Sequence, residues 1–68
     1  MSMNVILNGQ EREVGEPPNL AALLACVGVE PRNVAVECDG VIVRREQLAT
    51  TPVKPGARIE IIHFVGGG

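Results

Sequence analysis

The 68-residue sequence has no tryptophan, no tyrosine and one phenylalanine, Phe64. Platforms that stack a base or a flat cofactor are built from such side chains, so aromatic stacking pockets are excluded. One histidine, His63, and two cysteines, Cys26 and Cys38, lie outside any C-x-x-C spacing and are too few for a metal site. The thiols are expected to be two small buried hydrophobes. A basic stripe is also missing. Six Lys and Arg are scattered among eight acids, with a net charge of −2, which argues against a nucleic-acid partner. No apolar run approaches the roughly 18 residues of a membrane span, and the N-terminus lacks the basic and apolar regions of a signal peptide. A cytoplasmic chain without a membrane partner is expected.

What is present is aliphatic: hydrophobic residues make up 46% of the chain, mostly Val, Ile, Leu and Ala. That content excludes disorder. A chain of this size forms one domain and buries about 60% of its unfolded surface. Such a thin core leaves no room for an internal catalytic cavity.

Met3 to Asn8 alternates in polarity and reads as a strand. Asn8-Gly9 is a hairpin signal, so Gln10 to Val14 should return antiparallel. After the break at Gly15 to Pro18, Asn19 is a helix N-cap candidate. Leu20, Leu23, Leu24 and Val27 then fall on one helical face, and Gly28 suits the C-cap. Val34 to Cys38, the Asp39-Gly40 turn and Val41 to Val43 form a second hairpin. Arg44 to Thr51 is a polar stretch, with Leu48 as its core anchor and Arg44, Arg45 and Glu46 as a solvated loop. Arg58 to Val65 is the last strand. One helix covers only one face of a sheet, which predicts an α+β two-layer domain. A mixed sheet of four to five strands, with the last strand in its middle, fits the β-grasp arrangement. The domain spans 1–65, and 66–68 form a flexible tail.

That tail, Gly66, Gly67 and Gly68, is the most informative segment. Glycine backbone has no Cβ and can thread a channel that any side chain would block. The Gly68 carboxylate is unhindered, but a carboxylate is a poor acyl electrophile and needs activation as a phosphate or adenylate. A sulfur nucleophile can then convert it to a thiocarboxylate.

From Val34 onward the chain runs VAVECDGVIVRREQLATTPVKPGARIEIIHFVGGG. This resembles the ThiS family, the ubiquitin-like sulfur carriers of thiamine thiazole synthesis. That family shows an apolar strand, an Asn-Gly or similar turn, a Val-x-Arg-x-x-Trp/Leu stretch and a Gly-Asp-x-Ile-x-Ile strand ending in Gly-Gly. The matching positions are Val34 to Cys38, Asp39-Gly40, Val43 to Leu48, Gly56 to Ile61 and Gly67-Gly68. Met3 to Gly9 and the Leu20, Leu23, Leu24 helix extend the resemblance over the whole chain, Met1-Ser2 apart. The sequence departs at Ala57, where an acid is usual, at Arg44, where proline is frequent, and at Leu48, where tryptophan is common.

The resemblance implies that an E1-like adenylating enzyme uses ATP to activate Gly68. Sulfur from a donor such as a cysteine desulfurase then gives the thiocarboxylate, and thiazole synthase receives it. The carrier is implied to be no enzyme, with no catalytic residue, metal or cofactor of its own. Related Gly-Gly carriers serve molybdopterin synthesis, cysteine synthesis and tRNA thiolation. A ubiquitin-like protein modifier conjugated through Gly68, and an adaptor without covalent chemistry, also share these features.

By strand parity Ile6, Ile62 and Phe64 face away from the helix, beside the tail, and are candidates for partner docking. His63 falls on the other side, at its rim, with no partner group for catalysis. The free protein is expected to be monomeric.

Overall fold

The computed structural model describes residues 2–64. The tail Gly66, Gly67 and Gly68 and the boundary drawn after residue 65 lie outside the described residues.

Two hairpins are set by backbone that only certain residues tolerate. β1 (Asn4–Leu7) and β2 (Gln10–Glu13) are joined by Asn8 and Gly9, with φ of 50° and 82°. β3 (Val34–Cys38) and β4 (Val41–Val43) are joined by Asp39 and Gly40, with φ of 51° and 86°. Two consecutive positive φ angles define the type I′ turn, and Asn-Gly and Asp-Gly are the pairs that reach it at least cost. Both hairpins thus follow from local chemistry.

Helix α1 (Leu20–Cys26) begins where expected: the Asn19 side chain accepts the Ala22 N–H at 2.8 Å. It ends at Val27, followed by Gly28 at φ 75°. Leu20, Leu23 and Leu24 are fully buried, and Val27 is partly buried against the same cluster.

β5 (Arg58–His63) completes a five-stranded sheet in the order β2-β1-β5-β3-β4. It is parallel to β1 and antiparallel to β3, so the sheet is mixed and the last strand is central. Helix α1 covers one face. Val5, Leu7, Val36, Ile59 and Ile61 line that face, and Val14, Val34, Leu48, Val53 and Ala57 fill its margins. Ala57 and Leu48, two departures from the ThiS pattern, are core positions, whereas Arg44 is exposed.

Two expectations are corrected. Arg45 and Glu46, expected in a solvated loop, are exposed but open a 3₁₀ helix, Arg45–Thr50. The Arg44 carbonyl accepts the Gln47 N–H at 2.8 Å, and the Thr51 hydroxyl donates to the Gln47 carbonyl at 2.7 Å. These local bonds, with Leu48 inserted into the core, hold the segment tight. The cysteines are not both buried: Cys26 is exposed and Cys38 is half-buried. Cys26 is in the last turn of α1, at the flank of the leucine stripe, where the helix end leaves it exposed.

Candidate functional site

β5 is the strand that precedes the glycine tail in sequence. The strand is paired on both sides at its start. Ile6 and Leu7 of β1 stand level with Arg58 and Ile59. Val34 to Cys38 of β3 run along the whole strand, from His63 back to Ile59. Past β3, Phe64 donates its N–H to the Asn33 carbonyl at 3.0 Å, so pairing continues to the last described residue. The exit of the strand is therefore anchored on the β3 side, while β1 stops short of it.

The face away from the helix carries side chains of alternate residues: Arg58, Glu60, Ile62 and Phe64 along this line, with Glu37 and Ala35 beside them on β3 and Ile42 on β4. Ile62 and Phe64 are 52% and 66% exposed, and Ile42 is 70% exposed. Acidic groups gather toward the other end of the face, with Glu11 opposite Ile6 and Glu13 opposite Asn4.

Of the three docking candidates, the fold brings two together. Ile62 and Phe64 lie on one strand and one face. Ile6 is half-buried and stands level with Arg58, four residues back along β5 and about 13 Å from Ile62 at a strand's rise per residue. Parity places all three on one face, but the parallel register separates them. Ile42 of β4, rather than Ile6, shares a groove with Phe64. Its signal was present in the sequence as the middle of an apolar strand, but the order of strands in the sheet was needed to use it.

At this end of the sheet a shallow groove of about 270 Å³ is lined by Ala35, Ile42 and Phe64, with Arg32, Arg44 and Arg45 at its rim. The exit of β5 is thus apolar at the centre and basic at the edge. His63 is exposed at the strand's end, as its rim position implied. Burial, and secondarily the Asp39 carboxylate, push the Cys38 thiol up from its ordinary range, so it is held as the weakly nucleophilic thiol. Among the described residues no group of three or more His, Cys, Asp or Glu could hold a metal ion, and no helix is long and apolar enough to cross a membrane.

One helix laid across a mixed five-stranded sheet, with the last strand central and leading out to the glycines, defines a β-grasp domain of the ubiquitin-like kind. The chain belongs to the ThiS family, whose sequence model matches residues 5–68. The crystal structure of the thiamine biosynthesis protein ThiS from Geobacter metallireducens superimposes with a TM-score of 0.83 at 36% identity, covering 97% of this chain and all of that one. The solution structure of a thiamine biosynthesis protein from the same organism gives a TM-score of 0.80 at 36% identity, covering 97% of this chain and 88% of the other. Two thiazole synthases are also similar. That of Paramagnetospirillum magneticum is 39% identical over 66 residues, and that of Magnetococcus marinus is 33% identical over 66. The match takes in 97% of this chain but spans only 20% of the length of each synthase.

Proposed function

We propose that this protein is a sulfur carrier of thiamine thiazole synthesis that works through the carboxylate of Gly68. The observation that carries the reading is the family match, which spans residues 5–68, from β1 to the last glycine. The fold supports it, because the strand that precedes the glycines in sequence is central in the sheet and anchored on its β3 side up to Phe64.

In this reading a Gly68 carboxylate oxygen attacks the α-phosphorus of ATP in the active site of an adenylating partner, and pyrophosphate leaves. The persulfide of a donor such as a cysteine desulfurase attacks the acyl carbon of the adenylate, and AMP leaves. A thiol reductant then cleaves the S–S bond of the acyl disulfide, freeing the thiocarboxylate and leaving the donor sulfur in a disulfide with that thiol. The terminal thiocarboxylate is then the sulfur donor for the thiazole ring. The segment matched within two thiazole synthases supports a thiazole synthase as the receiving protein. Gly66 and Gly67 give a backbone slim enough to thread the partner's active site. Ile62 and Phe64, with Ile6 at the far end of the same face, provide the docking surface. The carrier supplies no catalytic group and holds no cofactor of its own; ATP belongs to the partner.

Intact mass after incubation with the adenylating enzyme, ATP and a sulfur source tests the proposal. One oxygen of the chain should be replaced by sulfur, and the change should map to Gly68. A protein with both Cys26 and Cys38 changed to Ser should still be loaded. Loading of a chain lacking Gly68, with the sulfur mapped to a cysteine, would sink the mechanism. Isopeptide adducts of higher mass would identify a modifier instead.

A further inference from the structure

The basic residues of this chain are unevenly placed. Three of its six, Arg32, Arg44 and Arg45, line the groove beside Phe64, and no lining residue is acidic. All three are exposed. Arg32 belongs to the short 3₁₀ turn Pro31–Asn33 that enters β3, and Arg44 and Arg45 follow β4. Because β3 runs antiparallel to both β4 and β5, its start and the ends of the other two strands meet at one end of the sheet. The arginines thus arrive from two separate segments around an apolar floor of Ala35, Ile42 and Phe64.

These charges are little used inside the domain. Among the described residues their one ion pair joins Arg32 to Glu30 at 3.7 Å, with both side chains more than half exposed, a contact that contributes little in water. Acids lie further along the same face: Glu37 is level with Ile42, and Glu60 is level with Glu37. An anionic occupant is therefore drawn to the end of the sheet where β5 finishes and is repelled from its middle.

We propose that this groove binds an extended acidic segment of a protein partner, with an apolar side chain of the segment seated on Ala35, Ile42 and Phe64 and its flanking carboxylates held by the arginines. Guanidinium groups pair with carboxylates through a planar fork of N–H donors, and arginine clusters are a recurring means of reading acidic motifs. At about 270 Å³ the groove is smaller than the roughly 300–1,000 Å³ of pockets that enclose a small ligand, and it suits one or two side chains of a segment lying across it. A free phosphate satisfies the arginines but leaves the apolar floor wet. A nucleic acid meets acids over the rest of the face and finds no second aromatic to stack on. The proposal deepens the docking part of the sulfur-carrier reading and rests on it for the existence of a protein partner; the binding chemistry asks nothing of Gly68.

NMR titration of the full chain with short capped peptides tests it. Asp-Glu-Leu-Glu-Asp should shift the amide signals of Ala35, Ile42 and Phe64 and the Nε–H signals of Arg32, Arg44 and Arg45, saturably and less at high salt. Ser-Gln-Leu-Gln-Ser and Asp-Glu-Ser-Glu-Asp should bind several-fold more weakly, and Lys-Lys-Leu-Lys-Lys should not bind. Arg44→Glu and Arg45→Glu, both at exposed positions, should each weaken binding several-fold. Arg12→Glu makes the same charge change on the opposite edge strand, β2, and should leave it unchanged. An acidic peptide without effect overturns the proposal, as do shifts centred elsewhere, equal binding of the basic peptide, or an equal loss in Arg12→Glu. Pyrophosphate binding as tightly as the acidic peptide marks a bare anion site and overturns it too. Groove signals that move with protein concentration alone assign the groove to a second copy, and peptide binding that appears only after residues 66–68 are removed assigns it to the chain's own tail; either result overturns the proposal. Sulfur loading of Gly68 is read separately by mass. Normal loading without acidic-peptide binding sinks this proposal alone, and peptide binding by a chain that never loads sinks the sulfur-carrier reading alone.

Discussion

Asn8 and Ile61 lie 53 residues apart in sequence, and the Asn8 side chain accepts the Ile61 N–H at 2.7 Å. The Asn8 N–H also donates to the Ile59 carbonyl at 2.9 Å. Asp39 makes the matching pair of bonds at the start of β5, accepting the Arg58 N–H at 2.9 Å and donating to the Arg58 carbonyl at 2.7 Å. The first residue of each hairpin turn thus does two things. It adopts a positive φ that most residues resist, and its side chain replaces a missing strand beside β5. A residue read as a turn former is also a clamp on the strand that leads to the tail.

Replacing Asn8 separates these roles. Asn8→Gly keeps the backbone conformation and loses only the side-chain bond to a half-buried N–H, a loss of about 1–3 kcal/mol. Asn8→Ala adds left-handed strain of about 1 kcal/mol or more. Urea unfolding should rank wild type above Asn8→Gly above Asn8→Ala. Equal stability of Asn8→Gly and wild type would show that the Ile61 bond contributes nothing.

Leu24 is fully enclosed between α1 and the sheet. Leu24→Ala should cost about 2–5 kcal/mol, a large part of the about 5–15 kcal/mol that holds a domain folded. The melting temperature should drop steeply, and an unmoved transition would contradict the packing of α1.

Phe64 exposes two-thirds of its surface where β5 leaves the sheet. Phe64→Asp should leave the fold intact and weaken binding to the adenylating enzyme, since aromatic anchors supply much of an interface's energy. Ile6→Asp should have the smaller effect, because Ile6 stands beside Arg58 rather than beside Ile62. Calorimetric titration of both variants gives the comparison, and equal affinity of Phe64→Asp and wild type would remove the patch from the docking surface.

The thiols should differ in reactivity. Cys26 is exposed, whereas Cys38 is half-buried beside Asp39 with its thiol pushed up. Thiolate is the reactive form, so iodoacetamide near neutral pH should label Cys26 first, as followed by intact mass. The sign of the linked stability effect follows from the raised value. The folded state holds the Cys38 proton more tightly, so this group's contribution is complete below the ordinary thiol range and is lost as pH rises through the raised value. Cys38→Ala should flatten that alkaline fall. First labelling at Cys38 would contradict the environment found for it.

Much of this architecture was legible locally. Asn8-Gly9 and Asp39-Gly40 demand type I′ turns because few other residues tolerate two positive φ angles in succession. Asn19, the leucine spacing and Gly28 bound the helix because each acts within one turn of backbone. The inward-facing aliphatics of α1 and of β1, β3 and β5 followed from strand and helix periods, whereas Val53 and Ala57, buried in the irregular segment before β5, did not. Local pattern could not supply the lateral order and offset of the strands. The parallel register of β1 against β5 put Ile6 beside Arg58 and away from Ile62, and the antiparallel β3 and β4 brought Ala35 and Ile42 toward Phe64 instead. Nor did composition show that Arg45–Thr50 would close into a 3₁₀ helix, since its inward anchor, Leu48, needs a core assembled from distant segments. Periodicity determines which way a side chain points. Which neighbours it meets there is decided by long-range strand pairing, whose register depends on contacts among residues up to tens of positions apart in sequence.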